Sequence, residues 1–105
     1  AREDGAAILA EVGKDTAAID HVLEALASET DITARDSLIL ALGAFKSRIA
    51  IPVLANMIRD ETTDKDTQWT AVESLGRIVR RRFLSQAQPV QAALEWLDNH
   101  ERRNA

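Results

Sequence analysis

Apolar residues recur along the chain at spacings of three and four, and nowhere do they alternate with polar ones over a strand's length between turn signals. Ala34, Leu38, Ala41, Leu42 and Phe45 fall on one stripe of a helix, since about 100° of rotation per residue returns each of them to the same side. Ile51, Leu54, Met57 and Ile58 repeat the pattern, with Pro52 in a first turn, where its missing N–H leaves no partner unsatisfied. Ala71, Leu75 and Ile78, then Val90, Ala93, Leu94 and Leu97, continue it. The chain therefore reads as all helix.

Helix boundaries are marked by capping residues more than by Gly or Pro. Asp15 or Thr16, one of Thr30, Asp31 and Thr33, then Ser47, and one of Thr63, Asp64 and Asp66 each offer a short side-chain oxygen to a first-turn N–H. Ser85-Gln86-Ala87-Gln88 has the spacing of a capping box, which places a helix start near Gln86. Six helices follow, near 2–13, 17–28, 33–46, 48–59, 66–83 and 87–99. They repeat one another: a shift of 33 superposes Leu42-Gly43 on Leu75-Gly76 and Phe45 on Ile78, and the same shift backwards reaches Leu9-Ala10 and Val12. The intervening helices align too, Val22 with Leu54 and Leu26 with Ile58, then Leu54 with Val90 and Ile58 with Leu94. A period in the low thirties built from two helices indicates a solenoid.

The run Ala34-Arg35, Ala41-Leu42-Gly43-Ala44-Phe45, Ala50-Ile51-Pro52-Val53-Leu54 and Met57-Ile58-Arg59-Asp60 resembles a HEAT repeat, of the short bacterial type also seen in phycobilisome lyases. The resemblance extends over essentially the whole chain, most clearly in the central copy; at the ends Ala10 replaces the Gly and Pro89 is out of frame with Pro52. It implies an α-α superhelix, a right-handed solenoid of about three helix pairs, and a non-enzymatic protein-interaction scaffold. It also implies a polar ladder of Asp and Arg between repeats. Asp60 and Arg35 match those positions while Ser28 and Gln68 stand where their counterparts belong, so the expected ladder shrinks to one Arg35–Asp60 contact.

Composition narrows the chemistry. With 105 residues, 46% hydrophobic and 29% charged, the chain is long enough for one domain with its own core, spanning 1–105 or cut from a longer array. Zero cysteine removes disulfides, thiolate catalysis and Cys-based zinc sites. No apolar run approaches the ~20 residues of a membrane span, and Ala1-Arg2-Glu3-Asp4 is no signal peptide, so a cytosolic or excised chain is expected. The net charge of −4 is unevenly placed: residues 1–66 carry seven basic and thirteen acidic side chains, residues 67–105 six basic and four acidic. Any anionic partner would meet the second part, whereas the overall acidity argues against a dedicated nucleic-acid binder.

No catalytic or metal constellation emerges. His21 and His100 lie far apart, each beside a single carboxylate, Asp20 or Glu101, and both read as surface residues. The acidic run from Asp60 to Asp66 lacks the Gly and terminal Glu of an EF-hand loop and reads as a solvated turn that caps a helix. Neither a cofactor nor catalysis is expected. Arg77, Arg80, Arg81 and Arg82 form the one basic cluster. On a helix through 83, Arg77 and Arg81 share a stripe, Arg80 faces elsewhere and Arg82 lies near the core edge, so the four make no single clamp; Glu73 is placed to pair with Arg77.

With Leu38 taken as the core direction, the opposite pole of helix 33–46 carries Asp36, Leu40, Gly43 and Ser47, which the 33-residue shift maps to Trp69, Glu73, Gly76 and Arg80. In HEAT-like stacks such second helices line the concave face, so the resemblance makes Leu40, Trp69, Glu73 and Arg80 the expected protein-binding row; Glu3, Ala7 and Lys14 extend it backwards. Trp69 could equally fold back onto a neighbouring helix. The competing readings are nucleic-acid or polyanion binding through Arg77, Arg80 and Arg81, an accessory role beside a modifying enzyme, and homo-oligomerisation through half-repeat ends, where Trp96 lies on the final helix.

Overall fold

In the computed structural model, residues 17–103 are described. Five α-helices occur among them and no strand: α1 at 17–28, α2 at Ile32–Phe45, α3 at Ile51–Arg59, α4 at Lys65–Val79 and α5 at Pro89–Arg103. The helix expected at 2–13, with Asp15, Thr16 and the row extension Glu3, Ala7 and Lys14, lies outside the described residues.

Capping chemistry sets most of the boundaries. The Asp31 carboxylate accepts the Ala34 N–H at 2.9 Å, and Asp64 accepts those of Asp66 and Thr67 at 3.0 and 3.4 Å. Ser47 caps a 3₁₀ turn, Arg48–Ala50, that runs directly into α3 with Pro52 in its first turn. Four boundaries differ by two residues or more from those expected: α3 begins at Ile51 instead of 48, behind the 3₁₀ turn, α5 runs on to Arg103 instead of 99, and the other two lie between α4 and α5. The fourth helix stops at Val79 instead of running to 83, because Arg80 turns into the left-handed region at φ 60°. The capping box at Ser85 does not form: burial of Phe83 draws 83–85 into a 3₁₀ turn, and α5 begins at Pro89, whose fixed φ suits a first helical position.

The core is one cluster drawn from all five helices, with Ile39, Leu42, Leu54, Ala71, Leu75 and Leu97 fully buried. In α2 it centres on Ile39 and Leu42, while Leu38 and Phe45 are half-buried, so the core direction differs from the one expected. The physical reason is that α2 is covered on two sides. Ile19 and Leu26 of α1 join the cluster, and α4 packs alongside α2 in parallel: Thr67 Oγ1 donates to Asp36 Oδ1 and Ser74 Oγ to the Ile39 carbonyl, both at 2.8 Å. Asp36 and Gly43, placed by the periodicity on the outward pole, therefore face α4. A Cβ on Gly43 would lie 2.8 Å from the Ser74 Cα, so glycine here sets how closely the two helices approach. Gly76 is also buried, and its Cβ would lie 2.5 Å from the Arg81 carbonyl oxygen, where the chain returns over the end of α4.

The expected Arg35–Asp60 contact is absent. Asp60 instead accepts from the Thr62 N–H and hydroxyl at 2.9 and 2.6 Å, bonds that hold its carboxyl below the usual range, and Arg35 Nε is buried without a partner. Gln68, at the ladder position of α4, donates to the Ile58 carbonyl at 2.8 Å. A short amide there reaches the end of α3 without a charge to neutralise. The inter-helix ion pairing moves to Arg59, whose guanidinium grips both Glu101 oxygens at 2.7 and 2.8 Å and Asp98 at 3.1 Å, tying α3 to α5.

Two outcomes follow from this packing. Gly43→Ala gains about 1 kcal/mol of helix propensity but drives a methyl into the backbone of α4, an overpacking cost of about 1–3 kcal/mol, so urea denaturation should show net destabilisation, whereas relief by propensity alone would stabilise. The Arg59 guanidinium holds the Glu101 carboxyl below its ordinary range. The folded chain thus binds that proton more weakly than the unfolded one, and the pair's contribution is present at neutral pH and lost as acid protonates Glu101. Glu101→Gln should flatten that part of the stability-against-pH curve.

Candidate functional site

The sequence-predicted residues fall into two groups. Leu40 on α2 and Trp69 near the start of α4 are exposed large apolar side chains, at 37% and 46%. Trp69 thus keeps nearly half its surface in solvent. Glu73 and Arg80 lie elsewhere, in the wall of a surface cavity of about 440 Å³ at the C-terminal ends of α2 and α4. The four members of the expected row are therefore not gathered into one cavity.

The same cavity brings together what the helical reading had separated. With α4 ending at Val79, Arg81 and Arg82 leave the helix, and Arg77, Arg80, Arg81 and Arg82 all line the cavity together with Lys46 from the end of α2. The four arginines, expected on a continuous helix to make no single clamp, thus border one cavity, and the turn at Arg80 is the physical reason. The Arg81 N–H donates to the Gly76 carbonyl at 3.0 Å, the long bond of a Schellman-type helix end, which redirects the chain while satisfying a last-turn carbonyl. Lys46 also turns left-handed at the end of α2, at φ 56°, by a tighter turn in which its N–H donates to the Gly43 carbonyl.

Both left-handed positions are unusual for their residue type. A side chain there brings Cβ against the following carbonyl, and glycine is the ordinary occupant. Here each is a basic residue that lines the cavity.

The electrostatics are one-sided. Arg77 pairs with Glu73 at 3.3 Å as its i, i+4 spacing predicts, but Lys46, Arg80, Arg81 and Arg82 form no ion pair among the described residues. The base is apolar, made by buried Val72 and Phe83 with exposed Leu84 beside them. Lys46, Phe83 and Leu84 escaped the sequence-based site, whereas Arg82 was placed in the basic cluster but near the core edge. No glycine stands at 46 or 80 to mark a left-handed helix end, so the sequence carried no signal for these turns.

The histidines divide. His21 is exposed, whereas His100 is half-buried and stacks on Trp96 at 4.7 Å between ring centres, with Trp96 packed against the core. Trp96 is thereby a packing residue of α5. The acidic turn supplies the Asp64 cap, and among the described residues no three metal-ligating side chains gather and no helix is long and apolar enough to cross a membrane.

The fold and the site together define a helical repeat module with a basic recess at one end of its parallel helices. A family profile of HEAT repeats matches residues 19–105, and the chain belongs to the HEAT-repeat family. No curated protein and no solved structure matches it significantly.

Removing the strained side chains should stabilise the fold. Lys46→Gly and Arg80→Gly are each expected to raise the unfolding free energy by about 0.5–1 kcal/mol, read by urea denaturation, since relief of the left-handed strain exceeds the added freedom of the unfolded chain. A loss of stability in both would show that the cationic side chains hold the helix ends.

Proposed function

We propose that the chain is a protein-interaction module, a single repeat domain working in the cytosol without catalysis, that holds a partner against the exposed faces of α2 and α4. HEAT repeats commonly serve as such scaffolds, which supports the general role. The observation that carries the particular surface is the exposure of Leu40 and Trp69 on adjoining parallel helices. Large apolar side chains held on rigid elements order at little entropic cost when a partner covers them, which is how interface anchors contribute most of the binding free energy. Glu73 and Arg80, in the wall of the cavity, would meet a partner that extends along α4 to its C-terminal end.

A second reading is supported by the gathering of Arg77, Arg80 and Arg81 in one cavity, a geometry suited to a polyanion such as nucleic acid. The chain's net charge of −4 weighs against it.

The deciding experiment compares the wild-type chain with a Leu40→Ala, Trp69→Ala double variant as baits, with and without nuclease, after circular dichroism shows equal helicity. On the scaffold reading a protein retained by the wild type is bound at least about tenfold more weakly by the variant, regardless of nuclease. Equal binding by the two baits would sink the assigned surface, and loss of all bound material on nuclease treatment would establish the polyanion reading instead.

A further inference from the structure

We infer that the basic cavity at the ends of α2 and α4 is a docking site for an acidic peptide segment carrying an apolar side chain. This inference rests on the reading of the chain as a protein-interaction module and assigns to it a second, chemically distinct contact.

The argument starts from charge. In a chain of net charge −4, five basic residues line a recess of about 440 Å³, Arg81 bordering a smaller cavity beside Trp96 and Arg103 as well, and only Arg77 has a carboxylate partner among the described residues. Helix dipoles explain part of this, since the negative ends of α2 and α4 favour Lys46, Arg77 and Arg80. They do not explain Arg81 and Arg82, which lie beyond the helix, nor why two cations occupy left-handed positions that favour glycine. Backbone strain of that kind persists where the side chain has another use, and here both strained side chains point to one use, a concentrated positive potential.

The shape of the recess selects among anions. Guanidinium groups bind carboxylates through paired N–H donors, and several arginines around one recess can meet acidic groups at successive positions of an extended segment. The base formed by Val72, Phe83 and Leu84 offers burial to an apolar side chain, which a phosphate backbone does not possess. Glu73 stands in the wall and would repel a continuous line of phosphates, whereas a peptide can place a neutral residue opposite it. Alternating acidic and apolar side chains fit the recess best.

A random-sequence peptide library displayed on phage and panned against the full chain tests this directly. The expected enrichment is of peptides with several Asp or Glu flanking an aromatic or large aliphatic residue. Synthetic copies should bind an Arg81→Glu, Arg82→Glu variant at least about tenfold more weakly, and a Leu84→Ser variant about fivefold more weakly. All three substitutions fall on exposed side chains, and circular dichroism checks that each variant is folded. Enriched peptides without acidic bias, or binding that survives the charge reversal, would overturn the assignment; if those peptides were lost with Leu40→Ala, Trp69→Ala, the module reading would stand without this pocket. The absence of any enriched peptide would overturn it too. So would tighter binding of a single-stranded oligonucleotide than of any selected peptide, with affinity falling steeply between about 50 and 200 mM salt.

Discussion

The close approach of α2 and α4 at Gly43 is the constraint on which the rest of the molecule depends. Because no Cβ stands between Gly43 and Ser74, the two helices lie near enough for the Ser74 hydroxyl to reach the Ile39 carbonyl and for Thr67 to reach Asp36. Those bonds satisfy polar atoms that burial would otherwise leave costly, and they fix the parallel register along the whole contact. With that register set, Leu42 and Leu75 both reach the core, and the ends of α2 and α4 come level. The recess that gathers Lys46 and the arginines is a product of that alignment.

The two surfaces are differently suited to binding. Leu40 and Trp69 offer apolar area on rigid helices, a contact whose strength depends on shape and dehydration and responds little to salt. The recess offers charge, which reaches outward, accelerates encounter and weakens as ionic strength rises. A partner that engages both would be steered by one and retained by the other. Held on one rigid layer, the two contacts act at high effective concentration once either has formed.

Much of the architecture was legible in the residues. Helical periodicity and the short oxygens that cap helices are local properties, fixed within one or two helical turns, and the 33-residue repeat is that periodicity carried over a helix pair; among the candidate caps the structure selects Asp31 and Asp64. What periodicity misjudged was which sides of a helix are covered. A helix wheel assumes one core direction, but α2 has neighbours on two sides, so Asp36 and Gly43 look outward on the wheel and face α4 in the fold. The Arg35–Asp60 ladder failed for a related reason: each residue's partner depends on distances between repeats, and nearer groups, Thr62 for Asp60 and the Ile58 carbonyl for Gln68, took those roles. The basic cavity was illegible because it requires a chain reversal at Arg80, a residue that local propensity keeps in the helix.

Gly43 and Gly76 occupy the same position in successive copies of the repeat, yet they admit different things. Gly43 leaves room for the next parallel helix, whereas the matching space over Gly76 is filled by the carbonyl of Arg81 and the turn that buries Phe83. Equivalent glycines thus serve two purposes: one admits a neighbouring helix, the other admits the chain's own return. A methyl at either position would meet backbone, at Gly43 that of another helix and at Gly76 that of the turn directly following. The turn that Gly76 admits is also the segment that takes Arg81 and Arg82 out of the helix, so a missing side chain in the last turn of α4 sets where two of the arginines stand.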